Sequence, residues 1–309
     1  MKRAIAVLLC LLLFLPFAYG CSDKAEEDGV VSVVATLFPQ YDFARAILGE
    51  KGEVTMLLTP GTNSHSFELT ASDVRKINSC DIFVYTGPNM EIWVDNIIGT
   101  INENVSVLDL SKNLQLRYAN DHNGHNNDGH DHAPDPHIWT SPVIAMNMLT
   151  EIYNAICRVD PDNVEYYKKN YENYLFELKD LDTDFKNIFD SAKQKTLYFS
   201  GKFAFLYFVD EYDLDFVAPF NSCSDMQVED LASVANLISE MKNNNVKYIF
   251  YEEFATADLY STITKETGAT ALLLHSAHNV SKLDFDKGIT YIDIMRQNAA
   301  NLKRALLNG

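Results

Sequence analysis

The sequence predicts an α/β protein of two β/α lobes, each with a parallel sheet flanked by helices, joined by a long rigid helix. Three observations support this. Short β-branched runs alternate with amphipathic stretches over residues 30–110, the same alternation returns after residue 190, and no strand-like run interrupts residues 141–190. Strands that alternate with helices are typical of parallel β-α units, so each alternating region is expected to form its own sheet.

The first lobe is predicted over residues 30–141. Its strand candidates are VVSVVAT, EVTMLLT, DIFVYTG and SVLDL. The amphipathic stretches between and after them are PQYDFARAILG, LTASDVRKINS and MEIWVDNIIGTI. Because the runs alternate strictly, the strands are expected to lie parallel, with helices on the sheet faces.

Residues 142–190 are predicted to be helical throughout. They contain SPVIAMNMLTEIYNAI and the longer DPDNVEYYKKNYENYLFELKDLDTDFKNIF, both with helical spacing of apolar residues. The second lobe follows over residues 191–309. Its segments include KTLYFS, LDFVAPF, VKYIFYEEF and ATALLLHS, and TYIDIMRQNAANLKRALL forms a closing helix.

The N-terminus indicates export. A basic MKR start precedes the apolar run AIAVLLCLLLFLPFA, which is too short for a lasting membrane span. Cys21 follows Gly20 and precedes a polar stretch, so residues 1–20 resemble a bacterial lipoprotein signal, with residues 21–29 as a tether. Lipidation of Cys21 would anchor the protein to the bacterial membrane in the periplasm or at the cell surface. Cleavage after Gly20 without lipid is the alternative.

The charge balance limits the partners. The net charge is −18 over 309 residues, and removal of the signal would take away two further cations and no acid. Such an acidic surface argues against nucleic acid as a partner and favours attraction of cations. Of the cysteines beyond Cys21, the sequence leaves open whether Cys80 and Cys157 form a disulfide, and Cys223 is a candidate metal ligand.

A histidine-rich tract precedes the linking helices. The stretch DHNGHNNDGHDHAPDPHIW carries five of the eight histidines of the chain. Four of them lie in a loop predicted over residues 120–135, where glycine and asparagine oppose a fixed structure: His122, His125, His130 and His132. We expect this loop to capture metal loosely; a solvated linker without a role is the alternative.

Four further side chains follow predicted strands or stiff turns. They are His65, His137, Cys223 and His275. Open α/β sheets place ligand-binding groups at the carboxyl ends of their strands. Imidazole nitrogens from both lobes, with or without a thiolate, suit tetrahedral zinc.

Several segments in the same order resemble the extracytoplasmic metal receptors of bacterial ABC importers for zinc and manganese. These segments are GTNSHSFELTASDVRKINSCDIFVYTG with EIWVD, DPHIWTSP, DPDNVEYYKKNYENYL, KFAFLYFVDEYDL, VKYIFYEEF with ITKETGA, and TYIDIMRQN. The resemblance covers nearly all of the chain after the signal. It implies two lobes joined by a rigid helix, one metal ion in the interlobe cleft, and an ABC permease with its ATPase as partners.

The resemblance places residues that can bind a metal at only some of the family's four ligand positions. His65 and His137 fall on the family's two ligands in the first lobe. The third ligand position falls on Lys202, whose ammonium has no lone pair to give, and the fourth falls on His275.

We therefore expect His65, His137, His275 and Cys223 to hold the ion, with Glu252 as a rival fourth ligand. A set rich in imidazole favours Zn²⁺ over Mn²⁺, which prefers carboxylates. The expected function is capture of Zn²⁺ by a monomeric receptor, and not catalysis. A manganese receptor, and a metal-dependent adhesin or metal buffer, are the alternatives. A metallohydrolase is disfavoured because the sequence contains no H-E-x-x-H motif, serine elbow or phosphate-binding glycine loop.

Overall fold

The computed structural model describes residues 30–64, 67–118, 133–220 and 231–307. The predicted features that lie outside these residues are the signal and tether with Cys21, His65, Cys223 and the loop histidines His122, His125, His130 and His132.

The first lobe contains a four-stranded parallel sheet in the order β2-β1-β3-β4. Its strands are β1 (Val31–Ala35), β2 (Gly52–Met56), β3 (Ile82–Tyr85) and β4 (Ser106–Asp109). Val33 of β1 pairs with Val54 on one side and with Ile82 on the other. All residues of the central β3 are buried, whereas alternate residues of the edge strand β2 are exposed. A parallel strand covered on both faces is expected to be continuously apolar, as β3 is.

Two helices of the first lobe match the predicted amphipathic stretches. They are α1 (Phe38–Leu48) and α2 (Ala71–Ser79), and α2 begins at a capping box formed by Thr70 and Asp73. The third stretch, MEIWVDNIIGTI, differs from the prediction, because it forms only two short 3₁₀ turns. Gly99 weakens helix formation there. The buried Glu91 carboxylate also accepts the backbone N–H groups of Thr86 and Gly87, which ties the segment back to the end of β3.

Two long helices connect the lobes. They are α3 (Pro142–Val159) and α4 (Val164–Ser191). Ser141 caps α3 by accepting the N–H of Ile144. The 28 residues of α4 span about 42 Å at the usual helical rise. This helix packs against α3, against α1 of the first lobe and against the C-terminal helix of the second, as the predicted linking role requires. None of the described helices contains an apolar run of the length that a membrane span needs.

The second lobe contains two parallel strand pairs. Its strands are β5 (Thr196–Tyr198), β6 (Asp215–Val217), β7 (Tyr248–Tyr251) and β8 (Thr270–Leu273), paired β5-β6 and β7-β8. An isolated parallel bridge between Phe199 and Phe250 joins the two pairs. The helices are α5 (Leu206–Glu211), α6 (Leu231–Asn243), α7 (Ala257–Thr267), α8 (Lys282–Asp286) and α9 (Tyr291–Leu307). Buried phenylalanines, among them Phe203 stacked on Phe216, fill the space beside β5.

A buried carboxylate holds helices of both lobes together. The side chain of Asp42 on α1 is 1% exposed. It accepts hydrogen bonds from Arg45 on the same helix, from the Tyr174 hydroxyl on α4, and from the backbone N–H of Tyr291 at the start of α9. We call this group the Asp42 clamp. It fixes the first lobe, the linking helix and the C-terminal helix at a single point.

The cysteine question that the sequence left open is answered by the structure. Cys80 is a free, buried thiol and Cys157 is a free, half-buried thiol, so no disulfide joins them. Burial raises the pKa of the Cys80 thiol to about 11, so Cys80 stays protonated at neutral pH.

Replacing the clamp carboxylate is expected to destabilise the whole protein. Asp42→Ala leaves the buried Tyr174 hydroxyl and the Tyr291 N–H without an acceptor and removes the partner of Arg45. We expect the free energy of unfolding to fall by about 3–5 kcal/mol, measured by urea denaturation.

Asp286→Ala is the matched control, because Asp286 pairs with Lys282 on the exposed surface of α8. We expect that variant to change the free energy of unfolding by no more than about 0.5 kcal/mol. Equal effects of the two substitutions would contradict the clamp.

Candidate metal site

A cavity of about 230 Å³ is lined by residues of both lobes. The first lobe contributes Asn63 and His137, and the second contributes Lys202, Glu252 and His278 among others. Two larger hollows, of about 610 and 510 Å³, lie elsewhere, and the described residues that line them include no histidine or cysteine. The side chains that suit a transition metal therefore meet in the smaller, interlobe cavity.

His137 is held by its own local sequence. Its side chain is buried, and its Nδ1 lies 2.9 Å from Oδ1 of Asp135. The same oxygen accepts the backbone N–H of His137 at 2.8 Å. A neutral imidazole whose Nδ1–H donates to a carboxylate carries its lone pair on Nε2, which is the arrangement typical of a metal-binding histidine. The ring also packs edge-on against Trp139.

His278 has the same arrangement in the second lobe. Its Nδ1 lies 2.8 Å from Oε1 of Glu253 and 2.7 Å from Oγ of Ser276. Its Nε2 is buried and has no hydrogen-bond partner among the described residues. A buried polar atom without a partner costs about 1–3 kcal/mol, so it calls for a functional explanation. A metal ion at Nε2 would supply the missing partner.

His275, the residue expected from the sequence, has a different environment. It is not among the described residues that line the cavity. Its Nδ1 accepts the backbone N–H of Ala277 at 3.0 Å, and its own backbone N–H and C=O both bond the Asn298 side chain. Burial lowers the pKa of His275, which keeps the imidazole neutral. The described lining of the cavity thus includes His278 and not His275.

A strained backbone turns the loop that carries His278. Ala277 has φ of +63° and Phe254, which follows Glu253, has φ of +62°. Left-handed conformations cost non-glycine residues roughly 1–2 kcal/mol each and cluster at functional sites. The turn at Ala277 lets both Ser276 and His278 reach the Glu253 carboxylate.

The Glu253 carboxylate is ionised although it is buried. Burial alone would favour its neutral form, but the hydrogen bonds from His278 and Ser276 hold the pKa of Glu253 well below its usual range. An ionised carboxylate can only accept hydrogen bonds, so it fixes a proton on Nδ1 of His278.

Of the other expected ligands, Glu252 lines the cavity, whereas His65 and Cys223 lie outside the described residues. Lys202 also lines the cavity and brings a cation to its wall. Asn63 lines it two residues before His65, and Phe220 lines it three residues before Cys223. Within the described residues, no group of three or more His, Cys, Asp or Glu side chains could hold a metal ion. The two histidines in the described wall of the cavity are therefore not by themselves a complete zinc ligand set.

The loops on the two sides of the cavity are tied together. Asn279, directly after His278, is fully buried. Its amide donates to the carbonyl of Thr59 at 2.8 Å and to that of Thr62 at 2.7 Å. Gly61, in the left-handed region at φ of +86°, donates its N–H to the carbonyl of Val280. The chain that leads to His65 is therefore bonded to the loop that carries His278.

Comparison with known proteins identifies a family. The model of the family described as "ZnuA: Zinc-uptake complex component A periplasmic" matches residues 33–305. The high-affinity zinc uptake system protein ZnuA of Bacillus subtilis is 36% identical over 293 residues, which cover 93% of this chain and 91% of that protein. The zinc-binding lipoprotein AdcA of Streptococcus pneumoniae is 32% identical over 98% of this chain, but the chain spans only 61% of the length of AdcA.

A solved structure agrees with the sequence comparison. The Zn(II)-bound ZnuA-like domain of Streptococcus pneumoniae AdcA superposes with a TM-score of 0.76 at 29% sequence identity. The match covers 90% of this chain and 99% of that domain. The two-lobe α/β fold predicted from the sequence is thereby confirmed.

The bond between the two loops can be tested through Asn279. Asn279→Ala removes the amide that donates to the carbonyls of Thr59 and Thr62 and accepts the N–H of Val280, and we expect the free energy of unfolding to fall by about 2–3 kcal/mol. Amide hydrogen exchange of residues 59–64, measured by mass spectrometry, is expected to accelerate.

Asn301→Ala is the control, because Asn301 donates to the Leu273 carbonyl within the second lobe. It should leave exchange at residues 59–64 unchanged. The same exchange rates in both variants would show that Asn279 does not join the loops.

Proposed function

Because the chain belongs to the family of periplasmic zinc-uptake components, we propose that it is the extracytoplasmic receptor of an ABC importer that captures Zn²⁺ in its interlobe cavity. The observation that carries this proposal is the buried Nε2 of His278, which lacks a partner among the described residues and belongs to the same cavity wall as His137. Both rings are held at Nδ1 by a carboxylate, as metal-binding histidines commonly are.

The proposed ligands come from both lobes. His65 and His137 serve from the first lobe, and His278 serves from the second, in the place first expected for His275. Cys223 is the proposed fourth ligand, and Glu252, which lines the cavity, is its rival. Three imidazoles at about 2.0–2.1 Å with one further donor form a tetrahedral zinc site.

The donor set favours zinc over manganese. Glu252 and Glu253 are the carboxylates among the described lining residues, and Glu253 already bonds Ser276 and His278. A manganese site prefers carboxylate oxygen, whereas imidazole nitrogen suits zinc.

The proposed cellular role is binding and delivery, without catalysis. The monomeric receptor would be tethered by lipid at Cys21, as the name of the pneumococcal lipoprotein suggests for that relative. His122, His125, His130 and His132 would collect zinc near the cleft. The loaded receptor would then dock on a membrane permease coupled to its ATPase. The bonds between the ligand loops support a closure that is small and local.

Zinc titration of the purified chain tests the site. We expect one tight Zn²⁺ per chain, with His137→Ala and His278→Ala each raising Kd on the order of 100-fold, because each removes one of four donors. Binding should weaken as the pH falls toward about 6.5, since imidazole must be neutral to bind.

The control variant replaces His122, His125, His130 and His132 with alanine. It should keep the tight site. Loss of the tight site in that variant, with retention in His137→Ala, would instead identify a loop-based metal buffer. Tighter binding of Mn²⁺ than of Zn²⁺ would indicate a manganese receptor.

Lys202 offers a substitution that should improve the site. Lys202→His places an imidazole where the family resemblance expects a ligand and removes a cation from the cavity wall. We expect zinc affinity to rise about tenfold or more. Lys202→Met separates the two effects, because it removes the charge and adds no nitrogen ligand. If Lys202→His binds zinc no more tightly than Lys202→Met, residue 202 does not face the ion.

A further inference from the structure

We propose that Glu253 is a positioning residue for the metal: it orients the His278 imidazole so that Nε2 is presented to the cavity. This inference rests on the proposed function, because Glu253 would act on the ion only through His278.

The contacts show how Glu253 holds the loop. Its side chain is 6% exposed and follows β7, whereas its partners follow β8. Oε1 accepts the Ser276 hydroxyl at 2.6 Å and lies 2.8 Å from Nδ1 of His278. Oε2 accepts the backbone N–H of Ser276 at 2.7 Å. Both oxygens are thus bonded to residues 276–278, so the carboxylate holds backbone and ring at once.

These bonds determine the ring's protonation and orientation. The Ser276 hydroxyl and the Glu253 carboxylate both lie within hydrogen-bond distance of Nδ1. A proton on Nδ1 leaves the lone pair on Nε2, and a carboxylate behind the ring makes that lone pair a stronger donor. If the ring flipped, Nδ1 would exchange places with a carbon and lose both bonds.

The first lobe contains a second, independent pair of a histidine and a carboxylate. Asp135 holds Nδ1 of His137 just as Glu253 holds Nδ1 of His278. The difference is the origin of the carboxylate. Asp135 lies two residues from its histidine, whereas Glu253 is brought from another strand end, so its role depends on the tertiary fold.

The test is Glu253→Gln, which keeps the side-chain shape. One orientation of the amide sets its NH₂ group against the Ser276 backbone N–H and the other sets it against the Ser276 hydroxyl and the His278 ring, so the three bonds of the carboxylate cannot all persist. We expect zinc Kd, measured by chelator competition, to rise about 10- to 100-fold. We also expect the visible absorption bands of the Co²⁺-loaded chain to shift in position and intensity.

Two controls separate positioning from general stability. Glu266→Gln alters an exposed carboxylate on α7 that pairs with Lys242, and it should leave both readouts unchanged. Ser276→Ala removes one hydroxyl from the same network and should produce a smaller change of the same kind. If Glu253→Gln does not fold without metal, Ser276→Ala decides the question with the same two measurements.

The possible failures are distinguishable. A wild-type zinc Kd and cobalt spectrum in Glu253→Gln would overturn the positioning role, as would a lower unfolding temperature with an unchanged spectrum. If His137→Ala and His278→Ala lose zinc while Glu253→Gln does not, only this inference fails. If those histidine variants bind zinc like the wild type, both the proposed function and this inference fail.

Discussion

The Asp42 carboxylate is the constraint on which the arrangement of the lobes depends. Its donors come from α1, from the linking helix α4 and from the start of α9, and the Arg45 side chain also bonds the carbonyl of Ile289. A buried carboxylate is strongly disfavoured without its donors. If the lobes separated, the Asp42 carboxylate would lose hydrogen-bond donors and the folded state would bear this free-energy cost. The clamp therefore fixes the relative position of the lobes in the folded state.

Hydrogen bonds connect the Asp42 clamp to the proposed metal site. The Tyr291 hydroxyl donates to the carbonyl of Trp139, and the Trp139 indole N–H donates to the carbonyl of Ser276. Trp139 is completely buried beside His137. The two imidazoles of the cavity are thus attached to one hydrogen-bonded frame. A preorganised site loses little conformational entropy on binding, which suits capture of an ion at low concentration.

Charged side chains of both signs lie at the cavity, and they have opposite effects on a cation bound there. Asp135 and Glu253 lie behind the two imidazoles and strengthen them as donors. Lys202 lies in the cavity wall, where a cation opposes the approach of Zn²⁺. Under the proposed function the protein must release its cargo to a permease, so the tightest attainable binding is not the useful one. A lysine in the cavity wall agrees with that requirement.

The sequence by itself determined the fold class and predicted one of the two histidines that line the described cavity. Alternating β-branched and amphipathic runs were sufficient for the strands and the linking helix, and DPH was sufficient for His137, because Asp135 reaches its imidazole within two residues. Only the tertiary structure showed that His278, and not His275, is among the described residues that line the cavity. Both follow the same strand three residues apart, and their difference arises from Glu253, which lies more than twenty residues earlier, and from the left-handed turn at Ala277. Neither the bonds of Glu253 nor the turn at Ala277 produces a recognisable pattern in the local sequence. A long-range hydrogen bond depends on how β7 and β8 pair and not on the types of neighbouring residues.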